Sequence, residues 1–353
     1  MKRVVVAMSG GVDSSVAAAL LKEQGYEVVG ITMCFNLAES RRRKPACCGA
    51  QGIADARRVA HKLGIKHYVL NMRKALQDKV IKDFLAEYSK GRTPNPCVRC
   101  NQFLKFGSLL IKALSLDAQY LATGHYARIY KSHRYFLKKA KDLNKDQSYF
   151  LYRLNQRQLK HLLFPLGDYT KEEVRRLAVK FGLPVADKPA SQEICFLPQV
   201  NYRPFISERL SDKIKPGLVV DREGNILGKH RGIAYYTIGQ REGLGISLGY
   251  PAYITGIDSR SDRITVGRKE DAYKKEFLLR NVRLSAHSPK KMVAVKVRIR
   301  YNHQEESAKI SLSGNSFKVI FKKPQFGVTP GQSAVFYSEE LVLGGGIIDK
   351  VLS

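Results

Sequence analysis

No apolar run in the chain is long enough to cross a bilayer: VVVAM and SVAAALL fall far short of the roughly 20 residues a spanning helix needs. A basic amphipathic anchor is missing too, so no membrane role is expected. MKRVVVAM runs at once into a strand-like segment and leaves no room for a leader, which makes a cytoplasmic location the expectation. Repeats and low-complexity tracts are absent. Acidic residues are scarce, 31 against 61 Lys and Arg, and the formal net charge of +30 favours polyanionic partners, nucleic acid above all. No cysteine follows Cys195. The others stand at 34, 47, 48, 97 and 100, and in a long cytosolic chain such thiols read as reactive or metal-binding rather than as a disulfide framework.

What is present divides by texture. With 353 residues and 44% apolar content, two or three globular domains are expected. Over residues 1–200, short apolar runs (RVVVAM, EVVGITM, KHYVLNM, AQYLATG) alternate with helix-period segments (SSVAAALLKEQG, GIADARRVAHKLG), each helix closed by a glycine. That alternation predicts an α/β domain, a doubly wound parallel sheet covered by helices. From QSYFLYRL to LAVKFGLPVA the period turns helical throughout, with a Thr-x-x-Glu capping box in DYTKEEVRRLAVKFG. Residues 201–270 read as a small β-rich domain that opens with a hairpin around 221–225, and 271–353 as a C-terminal β-barrel. In MVAVKVRIRY, Val293, Val295, Val297 and Ile299 alternate with Lys296, Arg298 and Arg300, placing apolar groups inward and cations outward. RRRK at 41–44 reads as a mobile loop, and Cys34 as a small buried hydrophobe in a strand.

SGGVDSS at 9–15 lies between the first strand and the first helix, where backbone N–H groups and the helix dipole hold an anion. Gly10 and Gly11 let a phosphate approach the backbone, and Ser9, Ser14 and Ser15 add hydroxyls. The Gly-Lys-Ser/Thr ending of the usual P-loop is missing, and the string is not a GxGxxG fingerprint, which disfavours γ-phosphate transfer. LATGHYAR ends another strand with Gly124 and His125, both expected to face the same crevice beyond the carboxyl ends of the strands. TPNPCVRCN sets Cys97 and Cys100 three apart behind two stiffening prolines, and SQEICFLP supplies Cys195. A lone CxxC stays open among zinc, redox and iron–sulfur roles.

The phosphate loop resembles that of the AMP-forming N-type ATP pyrophosphatases. Taken in order with GRTPNPCVRCN, ATGHYAR, NKDQSYFLY, EICF, TIGQREGLGI and TPGQSAVFY, it is similar over essentially the whole chain to the tRNA-specific 2-thiouridylases, bacterial type. The resemblance implies ATP with Mg2+ held by Ala7, Met8, Ser9, Gly10, Gly11, Val12, Asp13, Ser14, Met33 and Gly124. It implies adenylation of O2 on the wobble uridine of tRNA, sulfur attack at C2, and 2-thiouridine as product. Cys195 would bear a persulfide and Cys100 would release the sulfur, leaving a transient Cys100–Cys195 disulfide. Contacts to the anticodon loop are implied for Asn95, Pro96, Cys97, His125, Asp146, Gln147, Ser148, Arg300, Tyr301 and Gln332. A persulfide or sulfide donor protein is the further partner, and a monomer is expected.

One departure stands out: Cys97 replaces the Asp carried by many members of that family. Cys97, Cys100 and Cys195 then offer three thiolates to a 4Fe-4S iron–sulfur cluster whose fourth iron binds sulfide, a mechanism that rivals the persulfide one. Two other functions keep part of the pattern. Another AMP-forming tRNA-modifying or amidating enzyme would not need the paired cysteine motifs, and a non-enzymatic RNA-binding sulfur carrier would not need ATP turnover.

Overall fold

The computed structural model describes residues 1–35, 50–189, 194–197, 201–246, 248–285, 292–313 and 316–352; the 41–44 basic run, Cys47 and Cys48 lie outside these residues. The chain folds as two compact units, the first made of Met1–Val80, Cys97–Asn201 and Glu340–Val342, the second of Ile81–Pro96, Tyr202–Glu339 and Leu343–Ser353. Among the described residues, no helix is long and apolar enough to cross a membrane.

The first unit is built on β1 (Arg3–Ala7), β2 (Glu27–Cys34), β3 (Lys66–Asn71), β4 (Tyr120–Thr123) and β7 (Leu162–Leu163), with β5 (Arg128–Lys131) and β6 (Tyr135–Lys138) forming a hairpin whose Lys138 pairs with Leu341. The sheet order is β3-β2-β1-β4-β7 and every pairing is parallel, as the apolar runs predicted. Central β1 has helices to cover both faces, and its Val4, Val5 and Val6 are each 0% exposed. Full burial of one such side chain is worth roughly 1.5–3 kcal/mol. The helices that follow β1 and β2 are α1 (Val12–Glu23) and α2 (Ala50–Lys62), each followed by a glycine in the left-handed region, Gly25 and Gly64.

After β3 the chain makes α3 (Arg73–Leu76), a π-helical stretch (Gln77–Ile81) and α4 (Lys82–Tyr88), the last belonging to the second unit. A continuous helical run then begins at Pro96: α5 (Pro96–Cys100), a nine-residue π-helical stretch (Asn101–Leu109) and α6 (Leu110–Leu114). Proline starts it because a first-turn residue needs no N–H partner.

The segment expected to be helical throughout is not. It holds a 3-10 turn (Ser148–Phe150), α7 (Gln156–Leu159), the short strand β7 and only then α8 (Lys171–Lys180). Side chains satisfy the irregular backbone here: Asn155 and Gln158 form a capping box, and Gln158 Nε2 also donates to the Phe106 carbonyl at 2.6 Å. The expected Thr170/Glu173 capping box does start α8. Cys34 is half-buried at the end of β2 rather than enclosed.

The second unit contains α9 (Arg203–Leu210) and a four-stranded sheet of order β10-β11-β8-β9, from β8 (Gly217–Val220), β9 (Ile226–His230), β10 (Tyr253–Asp258) and β11 (Arg263–Gly267). β8 and β9 are the expected hairpin, and Asp221 accepts from Asn225 across the turn. The barrel comprises β12 (Tyr273–Leu284), β13 (Val293–Arg298), β14 (Glu306–Ser313), β15 (Ser316–Phe326), β16 (Ser333–Ser338) and β17 (Leu341–Val351). Their order is β12-β15-β14-β13-β16-β17, and pairing of β12 with β17 closes it around Phe277, Val297, Phe321, Phe336 and Ile348. Along β13 and just past it Val295, Val297 and Ile299 turn inward as expected, whereas Val293 at the strand start is 39% exposed and the side chain of Arg298, expected outward, is only 16% exposed.

Candidate active site

The loop after β1 is shaped by its own hydroxyls. Ser14 Oγ accepts from the Ser9 backbone N–H at 3.1 Å and donates to the Gly11 carbonyl at 3.2 Å, while Ser15 Oγ donates to the same carbonyl at 2.8 Å. Ser15 is fully buried, so its hydroxyl serves the loop, and of the three serines Ser9 is the exposed one. Gly10 has φ +74°, and a Cβ there would stand 2.2 Å from the Gly52 carbonyl oxygen. Only glycine fits both the conformation and the space. Gly124, just beyond β4, is equally constrained: its Cβ would lie 2.7 Å from the Asp13 carbonyl carbon and the Ser14 nitrogen. The two motifs singled out in the sequence therefore meet, at the carboxyl ends of adjacent parallel strands. Met8, just past β1, and Met33 on β2 are buried, Val12 is buried at the start of α1, and Ala7 is half-buried.

Asp13 does not stand open to a ligand. Its Oδ1 accepts from Lys171 Nζ at 2.5 Å and from the Tyr126 hydroxyl at 2.9 Å. Burial and the Asp13 carboxylate push the Tyr126 phenol far above its ordinary value, so it stays a donor.

Sequence reasoning missed a second charged cluster. Asp55 on α2 is 2% exposed and accepts from Arg58 at 2.6 Å, Lys188 at 2.7 Å and Gln51 at 2.8 Å. Lys188 Nζ also donates to the Gly10 carbonyl at 3.0 Å. Burial alone would raise the Asp55 carboxyl, but its donors outweigh that and hold it at about 2. The signal was there: Asp55 precedes the buried Val59 by one helical turn, which puts a carboxylate on the apolar face of α2. Lys188, by contrast, has no local signature.

Cys97 and Cys100 both lie in α5, Cys97 half-buried and Cys100 only 6% exposed, and Cys195 is half-buried. Asn101, next to Cys100, donates from Nδ2 to the Phe150 carbonyl at 3.2 Å, while its buried Oδ1 has no hydrogen-bond partner. Among the described residues no three His, Cys, Asp or Glu side chains gather as a metal-ligand set. The 4Fe-4S reading of Cys97, Cys100 and Cys195 therefore has no support among the described residues.

The residues expected to meet RNA are mostly engaged within their own unit. His125 is buried against Phe106 and Phe164, with Nδ1 2.7 Å from Thr123 Oγ1 and Nε2 3.5 Å from Lys105 Nζ. Burial first, and the Lys105 charge second, hold the imidazole well below its ordinary range. Asp146 is buried and accepts from the Ala140 and Ser148 backbones and from the Ser148 hydroxyl. Gln147 bonds both backbone polar groups of Tyr126. In the second unit, Arg300 donates to the Ile238 and Gly327 carbonyls and to Thr329 Oγ1, and Tyr301 beside it is half-buried. Gln332 Nε2 donates to the Thr93 and Pro94 carbonyls at 3.1 and 3.3 Å, fixing the chain just ahead of Asn95 and Pro96.

Three family models match: a tRNA methyl transferase HUP domain over residues 2–199, a tRNA methyl transferase PRC-barrel domain over 203–268, and an aminomethyltransferase beta-barrel domain over 274–348. The tRNA-specific 2-thiouridylase MnmA of Halothermothrix orenii is 52% identical, covering 99% of both chains. A protein of the same name from Caldanaerobacter subterraneus is 51% identical over 99% of this chain and 98% of its own. Among solved structures, a 4-thiouridine synthetase–RNA complex with bound ATP is 16% identical, covering 60% of this chain and 50% of that one at a TM-score of 0.35. That likeness is too distant to bear on function. The near-complete coverage at half identity decides the matter: the chain belongs to the tRNA-specific 2-thiouridylase family.

Proposed function

We propose that the chain is a tRNA-uridine 2-sulfurtransferase acting on the wobble uridine. Full-length identity to relatives of that name carries the reading, and the glycine-lined phosphate loop beside Gly124 supports it. Uracil O2 is a poor leaving group, so it first attacks the α-phosphorus of ATP and pyrophosphate departs. Ser9, Gly10, Gly11 and the N-terminus of α1 hold the phosphates, with a divalent cation such as Mg2+ on the pyrophosphate. Met33 and Gly124 bound the nucleoside. The terminal sulfur of a Cys195 persulfide then attacks C2 and AMP leaves. The Cys100 thiolate attacks the Cys195 sulfur, so the S–S bond breaks, 2-thiouridine is freed and a Cys100–Cys195 disulfide forms. An external dithiol reduces it and a persulfide donor then passes its outer sulfur to the Cys195 thiolate; where sulfide is the source, it attacks the disulfide at Cys195, giving the Cys195 persulfide and freeing the Cys100 thiolate. Asn95, Pro96 and Cys97 are assigned to the base. His125, Asp146, Gln147, Ser148, Arg300 and Gln332 shape the backbone that presents it, and Tyr301 meets the RNA directly. The chain works in the cytoplasm as a monomer.

The test is mass analysis of nucleosides after unmodified tRNA is incubated with protein, ATP and sulfide. The wild type is expected to yield 2-thiouridine with release of pyrophosphate, and Cys100→Ser or Cys195→Ser to release pyrophosphate without it. Pyrophosphate release and a modified nucleoside that survive both serine variants point to a different acceptor chemistry. RNA binding with no RNA-dependent pyrophosphate release points to a carrier.

A further inference from the structure

The first unit carries a second concavity of about 830 Å³, which no step of the sulfur chemistry uses. One wall is Asn71, the last residue of β3, with Arg73, Lys74 and Lys79 after it; the other is the helical run from Pro96, through Gln102, Phe103 and Ile111. The groove therefore opens at the carboxyl ends of the strands, the edge that carries the phosphate loop. In the strand order β3 is two places from β1, so at the usual strand spacing of about 4.8 Å the two loci are roughly 10 Å apart along that edge. The same helical run bears Cys97 and Cys100 in its first turn. Phe103 and Ile111 follow Cys100 along that run, within the span of a few nucleotides.

The chemistry of the walls selects an occupant. Three cations face one carboxylate, Asp78, and Lys74 and Lys79 are exposed. Phe103 offers a half-buried ring, with the Arg99 guanidinium carbon 5.3 Å from its centroid, and Ile111 is 70% exposed. Gln102 lines the same wall, with its Oε1 buried rather than turned to the groove. Cations that track a backbone and a ring on which a base can stack are what a groove for single-stranded nucleic acid needs. A docking surface for a protein would be depleted in lysines such as Lys74 and Lys79, which stand exposed on this wall.

We infer that this groove is an RNA subsite that takes the nucleotides flanking the modified uridine. The inference rests on the reading of the chain as a tRNA-modifying enzyme. Its test uses the full-length Lys74→Glu/Lys79→Glu double variant, with Lys112→Glu as control: Lys112 is exposed on α6 of the same helical run but lies outside the groove. Affinity for unmodified tRNA is measured over a salt series. The double variant is expected to bind about tenfold more weakly than the control at low salt. Its log–log salt dependence is expected to be shallower by about 1.4, roughly 0.7 for each phosphate left without its lysine. Equal affinity and equal slope in the two variants overturn the inference. So does unchanged tRNA binding with turnover lost only when sulfur comes from a protein-borne persulfide and retained with inorganic sulfide, which assigns the groove to a protein. Wild-type 2-thiouridine formation, assayed in parallel, reports on the parent reading separately: a wild type that thiolates while the groove variants behave alike sinks the groove alone.

Discussion

Replacing Asp55 with Asn tests the charged cluster under the phosphate loop. The side chain keeps its shape and loses the charge that Lys188, Arg58 and Gln51 surround. A carboxyl lowered from 3.8 to about 2 is favoured in the fold by about 2.4 kcal/mol, at 1.36 kcal/mol per unit. Because the folded value is depressed, this stability is present above the ordinary value and is lost as pH falls from there toward about 2. Two compact units make a single global unfolding constant ill-defined, so the fitting readout is native-state hydrogen exchange at the amides of Ala56, Val59 and Ala60 on α2. Near about pH 6 the Asp55→Asn variant should open more easily by roughly 2 kcal/mol; near about pH 2.5 the gap should shrink to about 1 kcal/mol or less. A gap that stays constant with pH would refute the reasoning, since packing alone would then explain the loss. Lys188→Met should also raise the KM for ATP, because its ammonium no longer braces the Gly10 carbonyl.

Gly124→Ala places a methyl 2.7 Å from backbone atoms of Asp13 and Ser14, which have no rotamer to escape into. The expected outcome is an overpacking cost of about 1–3 kcal/mol, read by native-state hydrogen exchange in α1, and a loss of ATP–pyrophosphate exchange of at least about tenfold; exchange at the wild-type level would deny the close approach. His125 is held neutral by burial and by Lys105, so its ring resonances should titrate well below the ordinary imidazole range. As its folded value is depressed, it withdraws stability when pH falls below the ordinary imidazole range. An inflection near about pH 6.5 would contradict this.

The parallel sheet was legible because β1 to β4 are short apolar runs between glycine-closed helices, a pattern set by local periodicity and capping. The 217–230 hairpin and the Thr170/Glu173 box were legible for the same local reason. Residues 148–163 misled because Tyr149, Leu151, Tyr152 and Leu159 mimic a helical apolar stripe, while side chains of Asn155 and Gln158 hold an irregular backbone instead. The phosphate loop announced itself as a contiguous string. The Asp55–Lys188 pair did not, since it joins residues far apart in sequence. Arg300, read as an outward cation on a strand, folds back onto two carbonyls and a hydroxyl, a use of charge that no alternation pattern encodes.

Residues 81–96 fold with the second unit, although the chain on either side of them belongs to the first. Phe84 and Tyr88 pack edge-on and stacked against Phe205 and Tyr202, Glu87 pairs with Arg280, and Arg92 pairs with Asp349. During synthesis these groups leave the ribosome well before their partners: the aromatic ones wait for Tyr202 and Phe205, the charged ones for Arg280 and Asp349. At typical elongation rates the interval between Arg92 and Asp349 is roughly ten seconds to a minute. Over that time the nascent chain must keep an apolar turn soluble without its lid, so a product cut near residue 200 carries a permanently sticky insert and is a natural client for chaperones.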